Sequence, residues 1–248
     1  MKALILAAGR GERMRPLTDR MPKPLLELAG KPLIVWQIER LRRAGIRDLV
    51  VNLGWLGDRL ADALGDGSRW DARIVYSREP EQAWETGGAV ATALPLLGGA
   101  DAPPFAVLSA DIYTEFDYAR LHEAAASIAA DPRATSAHFV LADNPPHHPG
   151  GDMALDAGGR VRREGVKLNY GNIAVFHAGL FAGRPARQPW KLFPWLYAEV
   201  DAGRVSGEHW RGAWHNVGTP EQLAELDARL RAYATDLSPA LRRGLARG

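Results

Sequence analysis

A short apolar run, Ala3-Leu4-Ile5-Leu6, opens onto Gly9-Arg10-Gly11-Glu12-Arg13-Met14-Arg15-Pro16-Leu17-Thr18. Glycines after a strand let backbone N–H groups approach phosphate oxygens closely, and three arginines converge on the same loop. Lys23 stands between Pro22 and Pro24, two residues of fixed φ that restrict the backbone beneath the cation. Asp111 follows the apolar stretch Phe105 to Leu108, and a carboxylate at that edge suits Mg²⁺, which takes few protein ligands and fills its other positions with phosphate and water. This is chemistry for aligning phosphate anions and neutralising their charge. A dinucleotide loop does not fit, because its third glycine would fall at Met14 and its acidic residue at Asn52. A Walker A loop does not fit either, since no Gly-Lys-Ser/Thr follows.

The elements that must position these residues alternate in type. Ala3 to Leu6, Leu49 to Asn52, Ile74 to Tyr76, Phe105 to Leu108 and His138 to Leu141 have the apolar pattern of buried strands. Between them, Lys31 to Ala44, Thr86 to Leu94 and Tyr118 to Ala130 have helical patterning; the first places Ile34, Ile38 and Leu41 on one face and ends before Gly45. Alternation predicts an α/β fold with a doubly wound, mostly parallel, Rossmann-like sheet, and a ligand site at the carboxyl ends of its strands. After Asp143 the pattern changes. Pro145 to Gly151 is turn-rich, Met153 to Val161 predicts a hairpin around Asp156 to Gly159, and Asn172 to Phe176 returns to a strand. Helices are expected over Pro189 to Ala202 and Pro220 to Tyr233. Residues 1–142 are expected to bind mainly nucleotide, 143–219 to form a sugar-binding insertion and 220–237 a C-terminal helix, all within one domain; 238–248 reads as a basic tail.

Composition narrows the partners. With 31 Lys and Arg against 29 Asp and Glu the formal charge is only +2, and the cations are dispersed, which argues against nucleic acid and for small anions. The absence of cysteine removes any disulfide framework or thiolate metal site, so the cytoplasm is the default expectation. The run from Ala3 to Ala8 breaks too early for an export signal. No stretch approaches the roughly 20 apolar residues of a membrane span.

Pro22-Lys23-Pro24-Leu25, taken with the glycine-arginine loop, resembles the signature of the sugar-phosphate nucleotidyltransferases. The similarity extends through Glu85-Thr86-Gly87-Gly88, Ala110-Asp111 and Asn216-Val217-Gly218-Thr219-Pro220-Glu221, in the order the family shows. The resemblance implies a GT-A-like fold and a Mg²⁺-dependent transfer of UMP from UTP to a sugar 1-phosphate. Two further stretches, Asp143 to Asp152 and Val205 to Gly212, point within the family to N-acetylmuramate 1-phosphate as the sugar. Another sugar 1-phosphate (glucose or mannose), a catalytically silent nucleotide-binding module, or a nicotinamide oxidoreductase are the alternatives.

The resemblance also implies roles. Gly9, Gly11 and Glu12 belong to the loop around the triphosphate. Arg13, whose forked donors suit phosphate oxygens, is assigned to the β- and γ-phosphates, and Lys23 to the α-phosphate. Glu85 to Gly88 is the turn facing uracil. Asp111 and Asn216 are the candidate Mg²⁺ ligands, Asn216 standing where related chains have Asp. For the sugar side the candidates are Asn144, Asp152, Gly171 and Asn172, with Glu164 and Lys167 as a sugar- and phosphate-binding pair at unusual spacing. Each residue also has an ordinary use: loop arginine, turn lysine, helix cap or turn amide. His147, His148 and His209, taken to have no carboxylate or histidine partner at helical i, i+4 spacing, read as structural or substrate-side. Trp190, Trp195, Trp210 and Trp214 are expected to pack against the sheet.

Overall fold

Period-two burial sets the frame. In β1 (Lys2–Leu6) Ala3 and Ile5 enter one apolar cluster while Leu4 enters another, so both faces of the strand must be covered. The computed structural model describes residues 1–236; the expected basic tail lies outside the described residues. In chain order the remaining elements are β2 (Glu27–Leu28), β3 (Lys31–Pro32), α1 (Leu33–Arg43), β4 (Asp48–Leu53), α2 (Gly57–Leu64), β5 (Arg73–Arg78), α3 (Glu85–Leu97), β6 (Phe105–Ser109), β7 (Ile112–Thr114), α4 (Leu121–Ala130) and β8 (Ala137–Ala142). Then follow β9 (Met153–Leu155), β10 (Val161–Arg162), β11 (Lys167–Phe176), α5 (Leu192–Trp195), α6 (Tyr197–Asp201), β12 (Val205–Trp210), β13 (Trp214–Asn216) and α7 (Pro220–Asp236).

The main sheet runs β5-β4-β1-β6-β11-β8-β12, with the small β9–β10 hairpin attached to the first residues of β11. β5, β4, β1 and β6 pair in parallel; β11 lies antiparallel between β6 and β8, and β12 is parallel to β8. Helices α1, α2 and α4 cover one face and α3, α5 and α6 the other, which is the doubly wound arrangement the alternation predicts. A third apolar cluster joins Met14, Leu26, Leu28 and Leu33 to Tyr113, Val217 and Leu226. Met14 is thus the buried anchor that fastens the glycine-arginine loop to β7, β13 and α7.

Several boundaries differ from expectation for local reasons. The first helix starts at Leu33, because Lys31–Pro32 pairs with Glu27–Leu28 as a hairpin. The helix expected over Pro189 to Ala202 is two short helices, with Phe193 in an extended conformation between residues that are helical. β11 begins at Lys167 rather than Asn172 and carries a bulge between Tyr170 and Ile173, with Asn172 at φ 55. Val205 to Trp210, within the stretch read as substrate-side, forms the edge strand β12. Trp190 packs edge-on against Trp195 and Trp210 against Phe116, as expected for rings covering the sheet.

α6 is tied to the sheet edge by Glu199, which receives two hydrogen bonds from the Arg204 guanidinium at 2.8 Å each and one from the Ser136 hydroxyl at 2.7 Å. These donors, Arg204 foremost, hold the Glu199 carboxyl below its usual range. A carboxylate with a lowered folded pKa adds stability that is complete above the ordinary glutamate value of about 4.3 and vanishes as pH falls through the folded value. Glu199→Gln is therefore expected to cost about 1–3 kcal/mol near pH 6, with the difference from wild type closing below about pH 4. Urea denaturation across that range measures it.

Candidate active site

The carboxyl ends of β1, β4, β5 and β6 meet along one edge of the sheet, and the loops leaving them enclose a cleft of about 400 Å³. At its base, Asn52 at the end of β4 is buried; its side-chain oxygen accepts the Ala7 N–H at 2.5 Å and its amide donates to Glu79 at 2.7 Å. The second Glu79 oxygen accepts the Trp84 N–H at 2.8 Å. Burial pushes the Glu79 carboxyl up, opposed by the Trp84 and Asn52 hydrogen bonds. Asn52 thus fixes the loop after β1 to the loop after β5. An acidic side chain here would face Glu79 with a second negative charge, so the residue that breaks the dinucleotide pattern is required by its neighbour.

Across the cleft Lys23 forms an ion pair with Asp111. Lys23 is nearly buried, in a 3₁₀ turn closed by the Leu25 N–H to the Pro22 carbonyl at 2.9 Å. Gly11, at φ 68, lies over its stem: a Cβ there would sit 3.2 Å from the Lys23 Cβ and 3.1 Å from the Thr18 methyl. The left-handed backbone and the close approach both demand glycine. The loop is closed by the Thr18 hydroxyl donating to the Gly11 carbonyl at 2.9 Å, while the Trp55 indole donates to the Thr18 carbonyl at 2.8 Å.

Asp111 is brought beside β13 by a hydrogen bond from the Val217 N–H to its carbonyl at 2.9 Å. Asn216, one residue earlier, has a buried side-chain oxygen with no hydrogen-bond partner. It borders a second cavity of about 480 Å³, together with Arg13, Asp152, Tyr170, Asn172 and Trp214. A smaller cavity links the two, sharing Glu85, Thr86 and Ser109 with the first and Tyr170, Asn172 and Phe193 with the second. The three form one trough along the strand ends. Asp111 and Asn216 supply hard oxygen donors of the kind Mg²⁺ prefers, and the unpartnered Asn216 oxygen is an acceptor left open for one. Among the described residues no three His, Cys, Asp or Glu side chains group as a metal site.

Residues 2–163 match the family model for nucleotidyl transferases. The chain belongs to the nucleotidyl transferase family. It is 46% identical over 236 residues to the N-acetylmuramate alpha-1-phosphate uridylyltransferase of Neisseria meningitidis serogroup B, covering 94% of this chain and 100% of that one. It is 37% identical over 238 residues to the enzyme of the same name from Caulobacter vibrioides, covering 92% and 96%. A putative glucose-1-phosphate thymidylyltransferase from Bacillus anthracis, solved in complex with a sucrose, shares the fold with a TM-score of 0.79 over 96% of each chain at 18% identity.

In this nucleotidyltransferase Gly9, Gly11, Lys23, Glu85 and Asp111 all line the cleft. Arg13 is exposed and borders the second cavity, with its guanidinium near Gly218. Glu12 is also exposed and pairs with Arg10 at 2.9 Å, outside the trough. Gly87 and Gly88 direct their N–H groups to the Trp190 carbonyl, at 3.1 and 3.2 Å, and a Cβ on Gly88 would fall 2.2 Å from the Gln188 carbonyl oxygen. These glycines admit the 185–190 segment against α3, so Gly88 faces protein rather than the cleft.

On the sugar side Asn172 borders the trough, whereas Gly171 serves through its carbonyl, which accepts the Trp214 indole N–H at 2.8 Å. Asp152 borders it with both oxygens engaged, one by the Tyr170 N–H at 2.7 Å and one by His148 at 3.0 Å. His148 and Asp152 do stand four residues apart, in a turn rather than a helix. Asn144 donates to the Pro149 and Lys167 carbonyls, which pins the loop to β11 outside the trough. Glu164 is exposed in the turn before β11, and Lys167 pairs with β9; neither borders the cavities. Asn52 and Glu79 were not anticipated as parts of the site. A polar residue closing an otherwise apolar strand was the available signal for Asn52.

Replacing Asn52 by Ala strands the Ala7 N–H and takes one of the two hydrogen bonds from the half-buried Glu79, which is expected to cost about 1–3 kcal/mol and to weaken nucleotide binding through the loosened cleft floor. A urea titration with and without UTP checks both parts; an unchanged midpoint contradicts the role given to Asn52.

Proposed function

We propose that this nucleotidyltransferase joins UTP to N-acetylmuramate 1-phosphate, releasing pyrophosphate and the UDP-sugar, as a step in peptidoglycan recycling. The observation that carries the reading is the end-to-end similarity to two uridylyltransferases of that name; the trough, with a cleft for one phosphate substrate opening into a polar cavity for another, supports it.

The reaction is an in-line displacement. A sugar phosphate oxygen attacks the α-phosphorus of UTP, the bond from that phosphorus to the β-phosphate oxygen breaks, and pyrophosphate carries away the electron pair. The second pKa of a phosphate monoester is about 6, so the nucleophile is already ionised near pH 7 and no general base is needed. The protein has to align two anions and neutralise the charge that builds on the α-phosphate. Lys23 exchanges its carboxylate partner for an α-phosphate oxygen. Gly9 and Gly11 keep the loop backbone close to the phosphates, and Arg13, without a hydrogen-bond or ion-pair partner among the described residues, is available to the outer phosphates from the second cavity. Asp111 and Asn216 are the residues that would hold Mg²⁺, which when bound supplies further positive charge to the phosphate oxygens.

Pyrophosphate release from UTP, Mg²⁺ and a panel of sugar 1-phosphates tests the reading. N-acetylmuramate 1-phosphate is expected to give the highest kcat/KM; equal values with glucose or mannose 1-phosphate, or preference for another nucleotide, contradict it. Lys23→Ala is expected to lower kcat by about 10²–10³. With Asp111 as the lone protein carboxylate of the pair, Mg²⁺ is expected to bind weakly until UTP contributes its phosphates, and Asn216→Asp to tighten binding to the free protein, as read by calorimetry.

A further inference from the structure

Any sugar 1-phosphate brings a phosphate that needs a cation beside it, and the two residues that resemblance suggests for contacting it, Glu164 and Lys167, lie away from the trough. The linking cavity contains a different cation, Lys191. Lys191 is exposed and has no hydrogen-bond or ion-pair partner among the described residues. It shares its cavity with Ser109, two residues from Asp111, on one side and with Asn172 on the other. That is where the two substrates must meet.

The backbone under Lys191 is fixed from several directions. The Trp190 carbonyl accepts the Gly87 and Gly88 N–H groups, the Trp190 N–H donates to the Trp84 carbonyl at 3.2 Å, and the Arg187 N–H donates to the Thr92 hydroxyl at 2.8 Å. On the other side Leu192 is buried in the core, and the Phe193 ring packs edge-on against Phe139 and Tyr170. The paired glycines at the start of α3 therefore let this strap lie close enough to hold a lysine over the trough. A cation whose backbone is already ordered loses less freedom on binding an anion.

The geometry points to Lys191 as the residue that receives the phosphate of the sugar 1-phosphate, in place of Lys167. This rests on the proposed reaction and adds to it the source of the cation.

Steady-state kinetics and calorimetry test it on the full-length protein. Lys191→Ala is expected to raise KM for N-acetylmuramate 1-phosphate at least tenfold, to leave KM for UTP within twofold and to be partly rescued by Lys191→Arg. Lys167→Ala is expected to change KM for the sugar less than twofold. In calorimetry Lys191→Ala weakens N-acetylmuramate 1-phosphate by a similar factor and leaves any binding of unphosphorylated N-acetylmuramate unchanged. An unchanged KM for the sugar, a tenfold effect at Lys167 in its place, or equal weakening of the phosphorylated and unphosphorylated sugars overturns the assignment while the reaction stands. A wild-type protein that uses no sugar 1-phosphate with UTP overturns the reaction and the assignment with it.

Discussion

The pairing of Lys23 with Asp111 is the constraint around which the site is built. Two opposite charges at the edge of a parallel sheet, one nearly buried, lose much of their hydration, and each compensates the other only while they stay close. Keeping them close requires the turn between Pro22 and Pro24, a glycine over the lysine stem, and the Val217 N–H just after β13 bonded to the Asp111 carbonyl. The pair also leaves the charges of Lys23 and Asp111 compensated by each other in the free protein. In the proposed reaction a nucleoside triphosphate with its cation would offer each member a new partner, an anion for Lys23 and a dication for Asp111, so binding would exchange one set of charge contacts for another.

The rest of the trough follows from how β11 enters the sheet. It is antiparallel among parallel neighbours, and its bulge at Gly171 and Asn172 turns Asn172 toward the cavity while Trp214 holds the bulged carbonyl. Bulges re-aim side chains in this way at functional edges. The opposite wall is the strap between α3 and α5. Both walls are positioned by backbone hydrogen bonds and buried aromatic rings rather than by flexible side chains, which suits a site that must align two repelling anions.

How much of this was legible in the sequence depended on the range of the contacts involved. Parallel strands, with apolar residues on both faces, and the helices between them were readable because their burial is local and periodic. Lys23, Asp111, Gly9, Gly11 and Glu85 were readable because each belongs to a short contiguous family motif, and the fold brings those motifs to one cleft. Gly88 was misplaced because a glycine pair at a helix start looks the same whether it admits a base or a segment a hundred residues away; here it admits Gln188 and Trp190. Asn144 and Asp152 occur in turn-rich sequence, and Asn144 is occupied in holding that turn together. Lys191 gave no signal, since nothing beside it in the sequence shows that hydrogen bonds to α3 and its approach bring it to the trough. Val205 to Trp210, read as substrate-side, forms an edge strand paired with β8.

The exchange of partners by Lys23 and Asp111 is tested most directly by the affinity of the nucleotide-free protein for Mg²⁺, measured by calorimetry in the wild type and in Lys23→Met. If Lys23 is what occupies Asp111 before substrate arrives, removing its charge while keeping its bulk frees the carboxylate, and Mg²⁺ binds at least tenfold more tightly to the variant. Equal affinity in the two proteins would contradict the account, because Asp111 would then be indifferent to the cation beside it.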